Sequence, residues 1–451
     1  MFVTCAKSNI HIVDAAHPMR FVFVSIFLVC TAHILAAQEG TTPPLLRDLE
    51  EQALKRNLGL LNGKLDIRQA EADIISAGLR PNPVATVNAD IFPLPGERFA
   101  PNDKQYGLSI AVPFELGNKR QYRMETSQNL AFAQKIQVQH TARQILLAVR
   151  TAYFDALGAQ EQLVIAVANT ETYQKLVALN QTRYKAAQIS LVELSRSELA
   201  FEQAELQRRE TELTLAKAER ALLLAVGDAE SAETLTPTLG DRLQPSSTDT
   251  TWAAASLETF LKLGFERRYD LQAVKMLRSA AEANARLQEA NATPDFTVAP
   301  EASMQQNAVL YGFTSVIPLP LNNRNEGERQ KAQFRIEQTQ RQIALAEYGI
   351  RNEVKNAVAE FRMRQSALQR YRSNASRSDA ASQNGILARA ASIKSASETA
   401  YRAGSISLLE LLDAMRVYNE VYKSYIDTVT LFNKSVATLT FAIGADAVVI
   451  E

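Results

Sequence analysis

Tyr184-Lys185-Ala186-Ala187-Gln188-Ile189-Ser190-Leu191-Val192-Glu193-Leu194 returns later in the chain as Tyr401-Arg402-Ala403-Gly404-Ser405-Ile406-Ser407-Leu408-Leu409-Glu410-Leu411. The offset is 217 residues, and it still holds where Val226-Gly227 meets Ile443-Gly444. Earlier, Tyr106-Gly107-Leu108-Ser109 and Pro113 return as Tyr311-Gly312-Phe313-Thr314 and Pro318 on an offset of 205. The difference, 217 − 205 = 12, is one insertion in the second copy. So long a period exceeds the roughly 20–50 residues of a solenoid unit. It marks duplication of a whole structural half.

Outward from these motifs, each copy reads in the same order. Leu45 to Leu79 has helical apolar spacing, stopped by Pro81 and Pro83. Ala85, Val87, Ala89 and Ile91 then alternate with Thr86, Asn88 and Asp90, the period of a strand. Pro93-Leu94-Pro95-Gly96 breaks the chain. Tyr106, Leu108, Ile110 and Val112 alternate in a second strand that Pro113 is expected to stop. Lys119 to Ala187 contains no proline, and Ile145, Val149, Ala152 and Ala156 follow the heptad rhythm of coiled-coil packing. After the break at Gln188, Ile189 and Ser190, a return helix is expected over 191–226, with Gly227 as its C-cap. The second copy repeats this with a helix over 257–290, strands near 296–304 and 309–317, one long helical run over 326–403, a turn at Gly404, Ser405 and Ile406, and a return helix to Ile443.

The domains expected are a signal peptide at 1–37, a first repeat at 38–227, a linker at 228–254, a second repeat at 255–444 and a tail at 445–451. Arg20, the apolar run from Phe21 to Val29 and the small pair Ala36-Ala37 have the layout of a secretory signal. The run falls short of the roughly 20 apolar residues of a spanning helix. Residues before Met19 are unlike a signal, which leaves Met1 and Met19 both open as the start. Cys30 follows Phe27-Leu28-Val29 and lacks the small residue that precedes a lipidated cysteine, so no lipid anchor is expected. Cleavage near Ala37 would remove Cys5 and Cys30 and leave His140 as the one histidine. Disulfides and thiolate metal sites are then excluded, and no cofactor or metal is expected. Acidic and basic residues number 49 each, for a net charge of +0, so no basic excess points to nucleic acid.

Each half holds one helical run of roughly 70 residues and two of roughly 35, or about 100 Å against half that at 1.5 Å per residue. Two short helices stacked end to end would match the long one and make an elongated rod. The strands, at about ten residues, suit a tilted transmembrane strand, and Phe92, Tyr106, Phe114, Phe296 and Tyr311 near their ends suit interfacial girdles. Periodicity alone fits equally a small soluble sheet packed on helices. If the strands lie in lipid, four cannot close a barrel, because open edges are not tolerated there. Several copies must then pool them, most simply as a cyclic homo-oligomer.

The whole of the chain after residue 37 resembles the TolC family of outer-membrane efflux channels. The resemblance rests on the twice-given order of helix, two strands and helices, and on Leu79-Arg80-Pro81-Asn82-Pro83. It rests also on Pro113-Phe114-Glu115-Leu116-Gly117-Asn118-Lys119-Arg120 and the two tip motifs. The Leu-Arg-Pro-Asn-Pro and Phe-Glu-Leu-Gly-Asn-Lys-Arg stretches look most like the cobalt–zinc–cadmium branch of that family. The resemblance implies a homotrimer with a twelve-stranded β-barrel in outer-membrane lipid and a coiled-coil α-barrel crossing the periplasm. It implies docking to a periplasmic adaptor and an inner-membrane pump of the resistance–nodulation–division (RND) class, the channel itself being passive. It places the helix turns at a closing tip, with Glu410 and Asp413 in an acidic pore ring and Tyr401 and Arg402 holding the gate shut. Glu193 is the first-half counterpart of Glu410, and Ile406 stands where some relatives carry a basic residue.

Two other classes compete. A periplasmic coiled-coil scaffold without a pore would need no duplicated hairpin, and heat-modifiable trimer migration would separate it from a channel. An enzyme finds no support, since the sequence carries no nucleophile motif, phosphate loop or metal cluster. Heavy-metal cations are the cargo expected from the resemblance, with organic solutes the alternative, because a wide tunnel selects weakly.

Overall fold

The computed structural model describes residues 45–90, 105–227, 239, 241–246, 252, 255–305, 308–372 and 385–446. The signal segment 1–37, Ile91, Phe92, the Pro93–Gly96 break, most of the linker 228–254 and the tail beyond Asp446 lie outside them. The first half runs α1 (Leu46–Arg56), α2 (Leu58–Gly78), β1 (Val84–Asp90), β2 (Gln105–Phe114), α3 (Lys119–Lys185) and α4 (Leu191–Val226). The second runs α5 (Leu257–Arg267), α6 (Tyr269–Ala290), β3 (Phe296–Gln305), β4 (Ala308–Val316), α7 (Glu326–Arg372), α8 (Ile386–Arg402) and α9 (Leu408–Ala442).

The expected single helix over 45–79 is two. Asn57 leaves the helical region at φ −62°, ψ 116°, and its Oδ1 accepts from the N–H groups of Gly59 (3.0 Å) and Leu60 (3.2 Å). The asparagine ends one helix and caps the next without proline or glycine. The helix expected over 257–290 breaks in the same way at Arg268 (φ −74°, ψ 126°), whose guanidinium pairs with Asp270 (2.6 Å) and with Glu353. The return helix of each half ends against these breaks. Gly227 (φ +88°) lies where a Cβ would come 3.0 Å from Asn57 Cα, and Gly444 (φ +68°) where it would come 3.1 Å from the carbonyl carbon of Arg267. A left-handed backbone and a close approach both demand glycine there.

These junctions fix the packing. α2 and α4 both lie along α3, as the length argument requires. On the α3 seam Val149 and Ala156 are fully buried, joined by Leu146 and Tyr153. Tyr153 lies in a core with Leu49, Ala53, Leu222 and Val226, which Leu239 of the linker also enters. The second half has its own core around Phe260, Ile350, Phe361, Phe432 and Leu439.

The run expected to be continuous over 326–403 is not one helix. Gly385, at φ −56° and ψ 169°, is the N-cap from which α8 restarts. Glycine is a poor occupant of a helix interior and serves here at a helix start.

β1, β2, β3 and β4 form one antiparallel sheet in that order, and the β2–β3 pairing joins the two halves. β2 continues through Pro113, which pairs with Thr297, to Phe114, which pairs with Phe296. The expectation that Pro113 stops the strand is therefore corrected. The β1 ladder has ended at Val84↔Ala111, so Pro113 lies beyond it, the kind of edge position where proline's missing donor is tolerated.

Candidate functional site: an unpartnered sheet and a pair of linked tips

The register sorts the strand residues onto two faces. Ala85, Val87 and Ala89 align with Ile110, Leu108 and Tyr106. Tyr106, Leu108, Val112 and Phe114 align with Met304, Ala302, Val298 and Phe296, and β4 adds Val309, Tyr311 and Phe313. Apart from Ser315, which pairs with Val298, this face is apolar across the four strands and open to the surroundings, with Val87 77 %, Phe313 75 % and Tyr311 84 % exposed. The opposite face carries Thr86, Asn88, Ser109, Glu301, Ser303 and Thr314. Phe114 and Phe296 stack at 5.0 Å at the helix end of the sheet, and Tyr106 stands in the row nearest the other end. Tyr311 lies one row further in, beside Ala302. Phe92 lies outside the described residues. Among the described residues no strand pairs with the outer edge of β1 or of β4. No described helix is long and apolar enough to cross a membrane.

Polar contacts anchor the sheet to the helices. Lys119 Nζ donates to Asp295 Oδ1 and to the Thr293 carbonyl, both at 2.7 Å, and Asp295 also accepts from the Leu116 N–H at 2.9 Å. Arg120 Nε donates to the Gly78 carbonyl at 2.6 Å, and Arg123 pairs with Glu115 while reaching the Leu79 carbonyl. The two Pro-containing motifs of the first half thus lie against each other, and the pair with Glu115 raises the Arg123 pKa above its ordinary value.

At the far end both helix turns have one form. Ala187 (φ 56°) and Gly404 (φ 75°) hold matching left-handed positions. Gln188 N–H donates to the Arg183 carbonyl at 2.9 Å and Ser405 N–H to that of Ala400 at 2.8 Å. Ile189 leads into Ser190, which caps α4 by accepting from the Glu193 N–H at 3.2 Å. Ser407 caps α9 likewise, and the Glu410 carboxylate accepts from the Ser407 N–H at 2.9 Å, closing a reciprocal capping box.

Tyr401 is the buried residue of the expected set. Its hydroxyl donates to Asn180 Oδ1 at 2.7 Å inside a cluster formed by Tyr173, Leu176, Leu408, Leu411 and Met415, on which Ile406 packs. The Arg183 guanidinium lies 4.9 Å from the Tyr401 ring centroid and donates to the carbonyls of Tyr401 (3.2 Å) and Arg402 (2.9 Å). The two hairpins are therefore tied to each other through Asn180, Arg183 and Tyr401. Arg402 contributes its carbonyl, its side chain being exposed. Glu410 and Asp413 are both exposed, and Asp413 accepts from Arg416 at 2.6 Å, which also holds Glu420 at 2.8 Å. Glu193 is half-buried, and no ion pair reaches its carboxylate among the described residues.

Sequence reasoning missed Asn180, Arg183 and Arg416. Ser407-x-x-Glu410 was legible as a capping box and Asp413-x-x-Arg416 as a helical ion pair. Asn180 and Tyr401 are 221 residues apart, with no local pattern to join them. Among the described residues no group of three or more His, Cys, Asp or Glu side chains is placed to hold a metal ion.

Residues 49–228 match the family model described as outer membrane efflux protein. The chain is 20 % identical to the cobalt-zinc-cadmium resistance protein CzcC of Cupriavidus metallidurans, over 90 % of this chain and 91 % of that protein. It shares its fold with a membrane protein of Pseudomonas aeruginosa (TM-score 0.73, 20 % identity, 88 % of this chain and 92 % of that one). The channel protein CusC gives a TM-score of 0.70 at 19 % identity, covering 88 % and 92 %. The outer membrane protein VceC of Vibrio cholerae gives 0.68 at 16 %, covering 88 % and 96 %. Residues 49–228 therefore match the outer membrane efflux protein family, and the chain shares the fold of solved outer-membrane proteins of this kind.

Proposed function

We propose that three copies pool their sheets into a twelve-stranded barrel above a helical tunnel, forming a passive conduit from the periplasm to the exterior. The observation that carries this is the exposed apolar face spanning four strands whose outer edges are both unpaired. In lipid each unpaired backbone group costs several kcal/mol, and only closure by further copies removes both edges. The chain works with a periplasmic adaptor and an RND-type pump that supplies the energy. Its cargo is heavy-metal cations, a reading supported by the relative named for cobalt, zinc and cadmium resistance. The residues of the channel serve as a conduit, and the choice of metal is made by the pump. The segment 1–37 directs export, Cys30 carries no lipid, and 38–227 and 255–444, joined by 228–254, act as equivalent staves of one wall, with 445–451 as a tail.

At the tip, Tyr401 with Asn180 and Arg183 holds the gate closed. Glu410 and Asp413, with Glu193 on the first hairpin, face the narrowing, and their rings attract cations. Gln188, Ile189, Ser190, Gly404, Ser405 and Ile406 form the turns that an adaptor meets.

The test is conductance of the detergent-purified protein in planar bilayers. Discrete, cation-selective openings are expected, and Glu410→Gln with Asp413→Asn is expected to lower the selectivity. Silence that persists in Tyr401 variants would replace the channel with a scaffold. Loss of the chain should sensitise cells to cobalt, zinc or cadmium, and sensitivity confined to organic solutes would refute the metal cargo.

A further inference from the structure

The Tyr-Gly motifs of the repeat place glycine opposite a polar side chain in each hairpin. Gly107 pairs with Asn88 and Gly312 with Glu301, both on the polar face of the sheet. A Cβ on Gly312 would stand 3.2 Å from Glu301 Oε1, and one on Gly107 would stand 3.7 Å from Asn88 Cβ. At Gly312 the missing Cβ leaves room for the Glu301 carboxylate to lie over the glycine, whereas at Gly107 a Cβ would make only ordinary contact with Asn88. The Thr314 hydroxyl approaches Glu301 Oε2 at 3.5 Å, and no basic side chain pairs with this carboxylate among the described residues. The repeat thus sets a polar side chain opposite glycine twice, an amide in the first hairpin and a carboxylate in the second. The four described strands contain Asp90 and Glu301 as their charged residues, and neither lysine nor arginine.

We propose that Glu301 is a charge-selecting residue in the wall of the barrel, favouring cations over anions at the exit end, separately from the tip. This rests on the trimeric barrel reading. The face that carries Glu301 is opposite the apolar one, and a carboxylate is excluded from lipid by its desolvation, so the polar face meets water inside the barrel. Three copies place three carboxylates alternating with three Asn88 amides around one aqueous wall. Rings of carboxylates select cations, and low-dielectric walls focus their field. No cation needs to be held. The effect is on passage, and it lies the length of α3, about 100 Å, from Glu410.

Reversal potentials under a potassium chloride gradient test this with two variants of opposite sign. Glu301→Asn makes the hairpins alike, and Asn88→Glu doubles the carboxylates. A wall potential of about 1 kT enriches cations over anions by roughly seven-fold. At low salt the cation-to-anion permeability ratio is expected to fall several-fold in Glu301→Asn and to rise in Asn88→Glu. Both differences should vanish near 1 M salt, where the Debye length is about 3 Å. Channels that conduct with unchanged reversal potentials at low salt overturn the role of Glu301 while leaving the channel intact. If one variant fails to assemble as a heat-modifiable trimer, the other, of opposite sign, decides. Absence of conductance in the unaltered protein and in both wall variants, persisting when each also carries Tyr401→Phe to release the tip, overturns the barrel reading itself.

Discussion

Replacing Tyr401 by phenylalanine removes one oxygen from the contact that joins the hairpins. The ring stays, and with it the packing against the tip cluster and the Arg183 guanidinium. What is lost is the 2.7 Å bond to Asn180 Oδ1. Tyr401 is 3 % exposed, so water does not readily replace the hydroxyl. Asn180 is fully buried and its Nδ2 already has no partner, so the substitution leaves its whole amide unpaired. A buried group left unsatisfied costs about 1–3 kcal/mol, and about 2 kcal/mol is reasonable here. If opening separates the hairpins, the closed state loses that amount and the open one loses little. The closed-to-open ratio should fall roughly 30-fold for each chain. Open probability in planar bilayers reads the effect, and a double-mutant cycle with Asn180→Ala assigns it to the pair. An open probability within about two-fold of the unaltered channel, or a coupling below about 0.5 kcal/mol, would refute the gate assignment. Arg402→Ala is the control, expected to change little because the carbonyl is the part engaged.

Three further outcomes are expected. Gly227→Ala should destabilise by more than about 2 kcal/mol in thermal denaturation, because a left-handed backbone and the Asn57 backbone at 3.0 Å both oppose a Cβ. Gly404→Ala should cost only about 1 kcal/mol, since its surroundings are open and Ala187 already holds the matching position. Asp295→Ala should lower stability by about 2–3 kcal/mol, leaving Lys119, 8 % exposed at its side chain, with the Thr293 carbonyl alone. That is less than for a fully buried pair because Asp295 is 39 % exposed. His140 lies 6.0 Å from the Phe441 ring, and its pKa is lowered chiefly by burial, with Arg268 and Arg143 opposing protonation and Asp270 and Glu353 favouring it. Its contribution to stability is therefore complete above the unfolded pKa of about 6.5 and is lost as pH falls through the lower folded value. His140→Phe should flatten the melting temperature below about pH 6.5, and an unchanged pH profile would exclude this residue as its source.

The features readable in the sequence were those written in local period or local backbone demand. Alternation at Val87 and Leu108 gave strands, Gly227 gave a helix end, and the breaks at Gln188-Ile189-Ser190 and Gly404-Ser405-Ile406 gave the turns before the return helices. The break at Asn57 was hidden because asparagine also sits on helix surfaces, and its capping role depends on what abuts it. Arg268 offered still less, since its break is held by Asp270 and by Glu353 from α7. Pro113 misled for a related reason. Whether proline ends a strand depends on where the neighbouring ladder stops, which register decides. The tip shows the same division. Its turns were legible from repetition, whereas the Asn180–Tyr401 bond exists only once two distant hairpins meet.

The two return helices act as gauge blocks. From the capping serine to the closing glycine, the first measures 227 − 190 = 37 residues and the second 444 − 407 = 37. Each block is seated at a helix break above and at a turn below, so both tips are set to one level. Removing a single residue from either block would raise its tip by about 1.5 Å and turn its faces by about 100°. The twelve residues by which the second copy exceeds the first lie before Tyr401, outside either block. The extra length of the second half is thus carried on that arm, while the two return helices keep one common length.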